Sequence, residues 1–436
     1  MSSAADPAFD DYQYQPLDHA TQQIRLVTLL DPLENDDAIR LDIKVFEISE
    51  APPYTALSYV WGPPPSSHDI YIANGRLQIR ENLFKFLTEF RKCRDKMPSD
   101  QYLWIDQLCI DQFSTGERNH QVQMMSDIYS KATSVIAWLG DGSEKGNTEP
   151  AGMIAERGLD IFEDTHDAAC AWKDRAEVKG FSYVLYNEYF QRLWIVQEFI
   201  LARHIRILVK DVWLVNDTRE WEYRVGTLNH YLLRSIPVYS YQIICKSSLG
   251  RIGRFIHLDI FAALDTYMEN KCADQRDKVY GLLGLVRVDQ RVTVDYEKSI
   301  DQLFMDVALA ALRNPCLEGL VADTPTYSAY TVCWKAAHAM DITWARKANF
   351  DFRFYKICRN GRLGRFRGHA CPITAVGLEK AAMTGREVDR FWFDFQGTRH
   401  FIYCTDEVTT LADETERLLQ EDWEKYVPRD HIDETS

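Results

Sequence analysis

No stretch of this chain approaches the roughly 18 uninterrupted apolar residues that a membrane-spanning helix requires. Basic charge is also scarce: 50 Lys and Arg stand against 65 Asp and Glu, a formal charge of -15. Nucleic acid and anionic membranes are thereby disfavoured as partners, since both are bound through a basic face. No two of the ten cysteines form a Cys-x-x-Cys pair. They are scattered singly from Cys93 to Cys404 beside mostly apolar or aromatic neighbours, the pattern of reduced, buried thiols in a cytoplasmic protein. Also missing are the G-x-x-x-x-G-K-[ST] phosphate loop, a G-x-G-x-x-G turn opening a helix, H-E-x-x-H and G-x-S-x-G. The histidines do not cluster at ligand spacing, so no metal and no bound cofactor is expected. Met1–Asp11 is small, polar and acidic, without the basic and apolar regions of a secretory signal.

What is present is an ordinary globular composition in a chain long enough for two or three domains. Residues 1–40 read as an N-terminal leader, loose and acidic over 1–22, and Leu41–Ile48 as the first strand, ended by Ala51-Pro52-Pro53. Ala56–Val60 is a short apolar strand. Asp69–Ile79 alternates around Asn74-Gly75, a strong hairpin signal. Leu83, Leu87 and Phe90 place an amphipathic helix over Glu81–Cys93. Tyr102–Ile105 is a strand, Val122, Met125, Ile128 and Tyr129 mark a second helix, and Thr133–Leu139 is a β-branched strand before a polar loop over 141–150. A helix is expected over Tyr189–Ala202. This alternation predicts an α/β class: a small, mostly parallel sheet flanked by helices over 41–202. A mainly helical accessory region, 203–315, is expected to follow, with helices over Ala262–Met268 and Asp274–Leu285 and a stripe from Ile300 to Ala311. Residues 316–436 read as a mixed α+β region with aromatic segments Phe391–Phe395 and His400–Tyr403 and an acidic tail. Arg362, Arg365 and Arg367 read as a solvated face.

Three landmarks carry candidate chemistry. The first is Ala56-Leu57-Ser58-Tyr59-Val60-Trp61-Gly62. The second runs Leu103-Trp104-Ile105-Asp106-Gln107-Leu108-Cys109-Ile110-Asp111-Gln112. The third is Arg192-Leu193-Trp194-Ile195-Val196-Gln197-Glu198. In the first two, polar residues begin where an apolar strand ends, and the carboxyl edge of an open α/β sheet is where ligands bind. Glu198 is unusual because its neighbours are nearly all apolar. A carboxylate there is either ion-paired, with Arg192, Arg203 or another arginine, or placed at a pocket, since unpaired burial is costly. Trp61 and Trp194 suit either core packing or stacking on a ring. Cys109 reads as a small core residue rather than a nucleophile.

Together these landmarks resemble the HET domain of fungal heterokaryon-incompatibility proteins, in the A-L-S-Y-x-W-G, W-I-D-x-x-C-I-x-Q and R-x-W-x-x-Q-E patterns and in that order. Asp274–Leu285 with Asp295-Tyr296 resembles the segment that commonly follows, with Gln275 where a proline is usual. The resemblance implies a fungal, cytoplasmic effector of self/non-self recognition (allorecognition) and regulated, programmed cell death. Its partner would be another copy of itself or another incompatibility protein. HET domains are in turn remotely TIR-like, and some TIR domains cleave NAD. That comparison implies a possible NAD glycohydrolase in which Glu198 is catalytic. Ser58, Tyr59, Trp61, Gly62, Asp106, Cys109, Asp111, Gln112, Arg192, Trp194 and Gln197 would surround the substrate. The alternative is a non-enzymatic signalling module whose motifs hold the fold.

Overall fold

The computed structural model describes residues 9–94 (without 35 and 74), 98–142, 183–215 (without 185), 258–313, 340, 373–383, 386–395 and 398–404. Within these the chain divides into two compact units. The first comprises Met1–Leu258, Glu269–Val286 and Thr293–Tyr296; the second comprises Asp259–Met268, Arg287–Val292 and Glu297–Ser436.

The first unit is built on a ten-stranded sheet in the order β1-β6-β5-β3-β2-β7-β4-β8-β9-β10. Its strands are β1 (Asp10–Asp11), β2 (Gln23–Leu29), β3 (Arg40–Glu47), β4 (Thr55–Tyr59), β5 (His68–Ile72), β6 (Gly75–Ile79), β7 (Leu103–Trp104), β8 (Ser134–Trp138), β9 (Ile205–Val209) and β10 (Val212–Val215). The α/β class is as expected, with a larger sheet. Four neighbours, β7-β4-β8-β9, are mutually parallel, and every residue of β4 and β8 is buried, as strands covered on both faces require. Antiparallel hairpins extend the sheet beyond β7, and the β5–β6 hairpin turns at the predicted place, with Ala73 at φ 51°.

Helix α1 (Glu81–Cys93) covers one face, where Phe86 meets Trp138 at 5.8 Å between ring centroids. Helix α3 (Thr115–Lys131), preceded by the short α2 (Asp106–Cys109), covers the other, where Tyr129 meets Trp104 at 5.4 Å. The register proves the faces opposite. Trp138 pairs with Tyr59 and Trp104 with Ala56, three residues apart on β4, and strand side chains alternate. The chain therefore leaves β4 on one side to reach β7 and returns on the other to reach β8. In the order of the four parallel strands this is 2-1-3-4, a doubly wound arrangement whose switch point lies at the carboxyl ends of β4 and β8.

Strand β2 is not legible in the sequence because Arg25 interrupts its apolar residues. Arg25 is nonetheless buried, with its guanidinium on both Glu117 oxygens and on the Cys109 carbonyl. A partner 92 residues away permits a strand that local pattern disfavours.

The helix expected over Tyr189–Ala202 is corrected to a 3-10 turn at Glu188–Gln191, an extended Arg192 (φ -75°, ψ 142°) and helix α4 at Ile195–Ile200. Tertiary bonds break it. Lys271 N–H donates to Gln191 O, Leu193 N–H to Lys271 O, and Asn270 Nδ2 to the Phe190 and Arg192 carbonyls. Likewise Asp274–Leu285 is a short helix α6 (Asp277–Tyr280) and a separate 3-10 turn at Leu283–Leu285.

In the second unit helix α5 (Ile260–Tyr267) starts at Gln290, whose Oε1 accepts the Ile260 N–H at 3.0 Å while its Nε2 donates to Asp259 at 2.8 Å. Helix α7 (Ile300–Arg313) matches the predicted stripe. The two aromatic segments lie in an antiparallel meander of β11 (Ile373–Met383), β12 (Arg386–Phe395) and β13 (Thr398–Cys404). The loop beyond Gly142, the basic run at 362–367 and the acidic tail lie outside the described residues.

Candidate functional site

Glu198 sits on α4, directly over the carboxyl end of β4. It is 2% exposed, and no Lys, Arg or His nitrogen lies within 4 Å of its carboxylate among the described residues. Ser58, whose side chain the pleat of β4 turns toward α4, donates to Glu198 Oε2. Ser58 Oγ is in turn 2.7 Å from the Tyr189 hydroxyl, which must be the donor in that pair because the serine proton is committed to the carboxylate. Tyr129, bonded to the Leu57 carbonyl at 3.0 Å, lies against the same carboxyl group. Burial raises Glu198 to about 7; the Arg192 charge and the Ser58 bond oppose the rise, and the neighbouring Asp106 charge adds to it. A carboxylate balanced near neutrality by burial, at the carboxyl ends of parallel strands, has the character of a functional group.

A second set of groups adjoins it. Asp106, at the end of β7, accepts from the Trp61 indole at 2.6 Å and from the Gln107 N–H at 2.7 Å. Burial raises its carboxyl, against the pull of Arg192 and of Trp61. The Tyr59 phenol lies 3.5 Å from Gln107 Oε1 and within reach of Asp106. Arg192 donates to the Tyr59 carbonyl, and Gln112 Nε2 donates to the Asp106 carbonyl at 3.0 Å. Gly62 adopts φ +75°, a conformation that favours glycine, and its carbonyl accepts from Arg80 at 2.8 Å. The structure thus brings Ser58, Tyr59, Trp61, Gly62, Asp106, Gln112, Arg192 and Glu198 to one edge of the sheet.

Other residues of the three landmarks point elsewhere. The Cys109 thiol is buried against the Ile105 N–H, and burial pushes it up to about 12, so it is no ready nucleophile. The Asp111 N–H donates to Glu117 at 2.7 Å and its carboxylate caps the Phe113 N–H at 3.0 Å, which fixes the turn before α3. Trp194 and Glu198 do not share a partner. The Trp194 indole donates to Asp277 at 3.0 Å, which also accepts from Tyr296 at 2.6 Å and is pushed by burial to about 6. Gln197 Oε1 accepts the Gly284 N–H at 3.3 Å. These contacts dock the Asp274–Leu285 segment beside α4, within the first unit.

Sequence reasoning missed Tyr129, Tyr189, Arg80 and Asn82. Tyr129 and Tyr189 counted only as apolar surface, and neither shows in sequence that its hydroxyl ends beside Glu198. Asn82 donates to the Val60 carbonyl and accepts from the Trp138 indole at 3.3 Å, tying α1 to both switch-point strands.

Residues 54–198 match the family model described as Heterokaryon incompatibility protein (HET). The chain is also 27% identical over 372 residues to heterokaryon incompatibility protein 6, OR allele, of Neurospora crassa. That alignment covers 70% of this chain and 54% of the relative, so the chain spans about half the length of the curated protein it matches. No solved structure matches. The matched span begins at the residue before β4 and ends at Glu198, so the stretch that is similar to the HET family and the site described above coincide.

Proposed function

We propose that this chain acts in fungal heterokaryon incompatibility, as a HET-domain effector of self/non-self recognition and regulated cell death. We further propose that its HET domain acts by cleaving NAD at the nicotinamide–ribose bond. The single observation that supports the chemistry is Glu198, a buried carboxylate with no cation within 4 Å among the described residues, beside the switch point of a parallel sheet.

The reaction needs little else. The C–N bond to ribose breaks with its electron pair leaving on the pyridinium nitrogen, so nicotinamide departs neutral and needs no general acid. The ribosyl cation that develops is stabilised by a carboxylate on its face, as in glycoside hydrolysis, and water adds to it, releasing one proton. Ser58, itself bonded to Tyr189, orients Glu198, and in this reading Asp106 would accept a ribose hydroxyl. The pyridinium charge of the bound nicotinamide ring would favour the ionised form of a group poised near 7, so binding itself would help to charge Glu198.

The test is consumption of NAD by the purified full chain at high concentration, followed by chromatography of nicotinamide and ADP-ribose. Turnover by the wild type and its loss in Glu198→Gln are expected. Equal rates in the two proteins would sink the enzymatic reading. One observation favours the second reading, a signalling module that acts through self-association or another incompatibility protein: the Glu198 carboxyl is closed in by Ser58 and two buried tyrosines. Absence of turnover in both proteins, with partner binding intact, selects that module.

A further inference from the structure

In a chain this acidic, arginines find carboxylates. Arg25, Arg40, Arg76, Arg94, Arg206 and Arg276 each lie within 4 Å of an Asp or Glu. Arg80 and Arg192 lie within that distance of none among the described residues. Arg118, a third such cation, is laid over the Tyr296 ring at 4.3 Å. Arg80 and Arg192 instead share a location. Arg192 donates one N–H to the Tyr59 carbonyl, and Arg80 donates one to the Gly62 carbonyl at 2.8 Å. The two carbonyls are three residues apart on the chain segment leaving β4, hence at most about 11 Å. Each guanidinium is held by one nitrogen, which leaves its other N–H groups without a bond to the described residues. Arg80 is further fixed over the Trp61 ring at 5.0 Å. The adjacent negative charge, Asp106, already accepts from Trp61 and Gln107.

A planar guanidinium presents paired donors that match phosphate oxygens, and two of them, pre-oriented at one sheet edge, suit an anion with two charged centres. We propose that Arg80 and Arg192 form a subsite for a diphosphate-bearing ligand at the carboxyl edge of β4. This rests on the site proposed above but not on cleavage of a glycosidic bond. It also gives Arg80, which lies outside all three sequence landmarks, a part in ligand selection.

Calorimetric titration of the full chain with inorganic pyrophosphate and with ADP tests the subsite. Both are expected to bind saturably, more weakly as salt is raised. Arg80→Gln and Arg192→Gln should each weaken binding about ten- to hundredfold, and Arg80→Lys should restore part of it. Should the variants fold poorly, wild-type protein serves instead: pyrophosphate should protect Arg80 and Arg192 from phenylglyoxal, as read by peptide mass spectrometry. Unchanged affinity in Arg80→Gln, binding of ADP without pyrophosphate, or no protection would each overturn the subsite. Diphosphate binding that depends on Arg80, with no NAD turnover, would keep the subsite and remove the glycohydrolase. Turnover that needs Glu198, with KM unmoved by Arg80→Gln, would do the reverse.

Discussion

Glu198→Gln should change the pH dependence of stability more than stability itself. Glu198 titrates near 7 in the folded chain against about 4.3 to 4.5 when unfolded, so the folded state holds the proton more tightly. Stability from this group is therefore complete below about pH 4.5 and is lost as pH rises toward 7. The full loss is about 2.5 units at 1.36 kcal/mol each, or roughly 3 kcal/mol. Between pH 5 and pH 8 most of it, about 2 to 3 kcal/mol, is traversed. Glutamine keeps the acceptor that Ser58 needs but carries no charge at either pH. The variant should thus resemble the wild type at pH 5 and exceed it by about 2 to 3 kcal/mol at pH 8. With a urea dependence of about 3 kcal/mol per molar for a unit this size, the difference in urea midpoints should widen by close to 1 M between the two pH values. The assay is urea unfolding followed by near-ultraviolet circular dichroism at pH 5, 6, 7 and 8. Parallel midpoints for the two proteins across that range would refute the claim that burial raises the Glu198 carboxyl toward 7.

If NAD is cleaved, activity should rise with pH through about 7 or below, because the carboxylate is the working form; a flat profile from pH 5 to 8 would count against it. Glu117→Gln should destabilise by about 3 to 5 kcal/mol, since it leaves Arg25 buried without its counter-charge, as measured by urea unfolding at pH 7. Gly284→Ala should cost about 1 to 3 kcal/mol, because a Cβ there would meet Gln197 Oε1, Leu201 Cδ1 and Ser126 Cβ at 2.8 Å. A thermal midpoint equal to that of the wild type would show that the segment shifts freely. Trp194→Phe removes the indole donor from Asp277 and should lower stability by about 1 to 2 kcal/mol at pH 7 and less at pH 5, where Asp277 is protonated more fully in the folded state.

Where the physics is local, the residues alone specify the element. The Glu81–Cys93 helix follows from an apolar stripe at helical spacing, the β5–β6 hairpin from Asn74-Gly75, and β4 and β8 from β-branched and apolar runs that suit strands buried on both faces. The HET pattern was legible because each of its three motifs is a contiguous run of sequence. The remaining features rest on contacts between residues far apart in the chain. Strand β2 depends on a carboxylate 92 residues from Arg25, and the break at Arg192 depends on Asn270 and Lys271. The site itself joins Ser58 and Glu198 across 140 residues. Spacing along a chain cannot show which of two sheet faces a crossover will take, and that choice is what set Glu198 over Ser58, with no cation within 4 Å among the described residues.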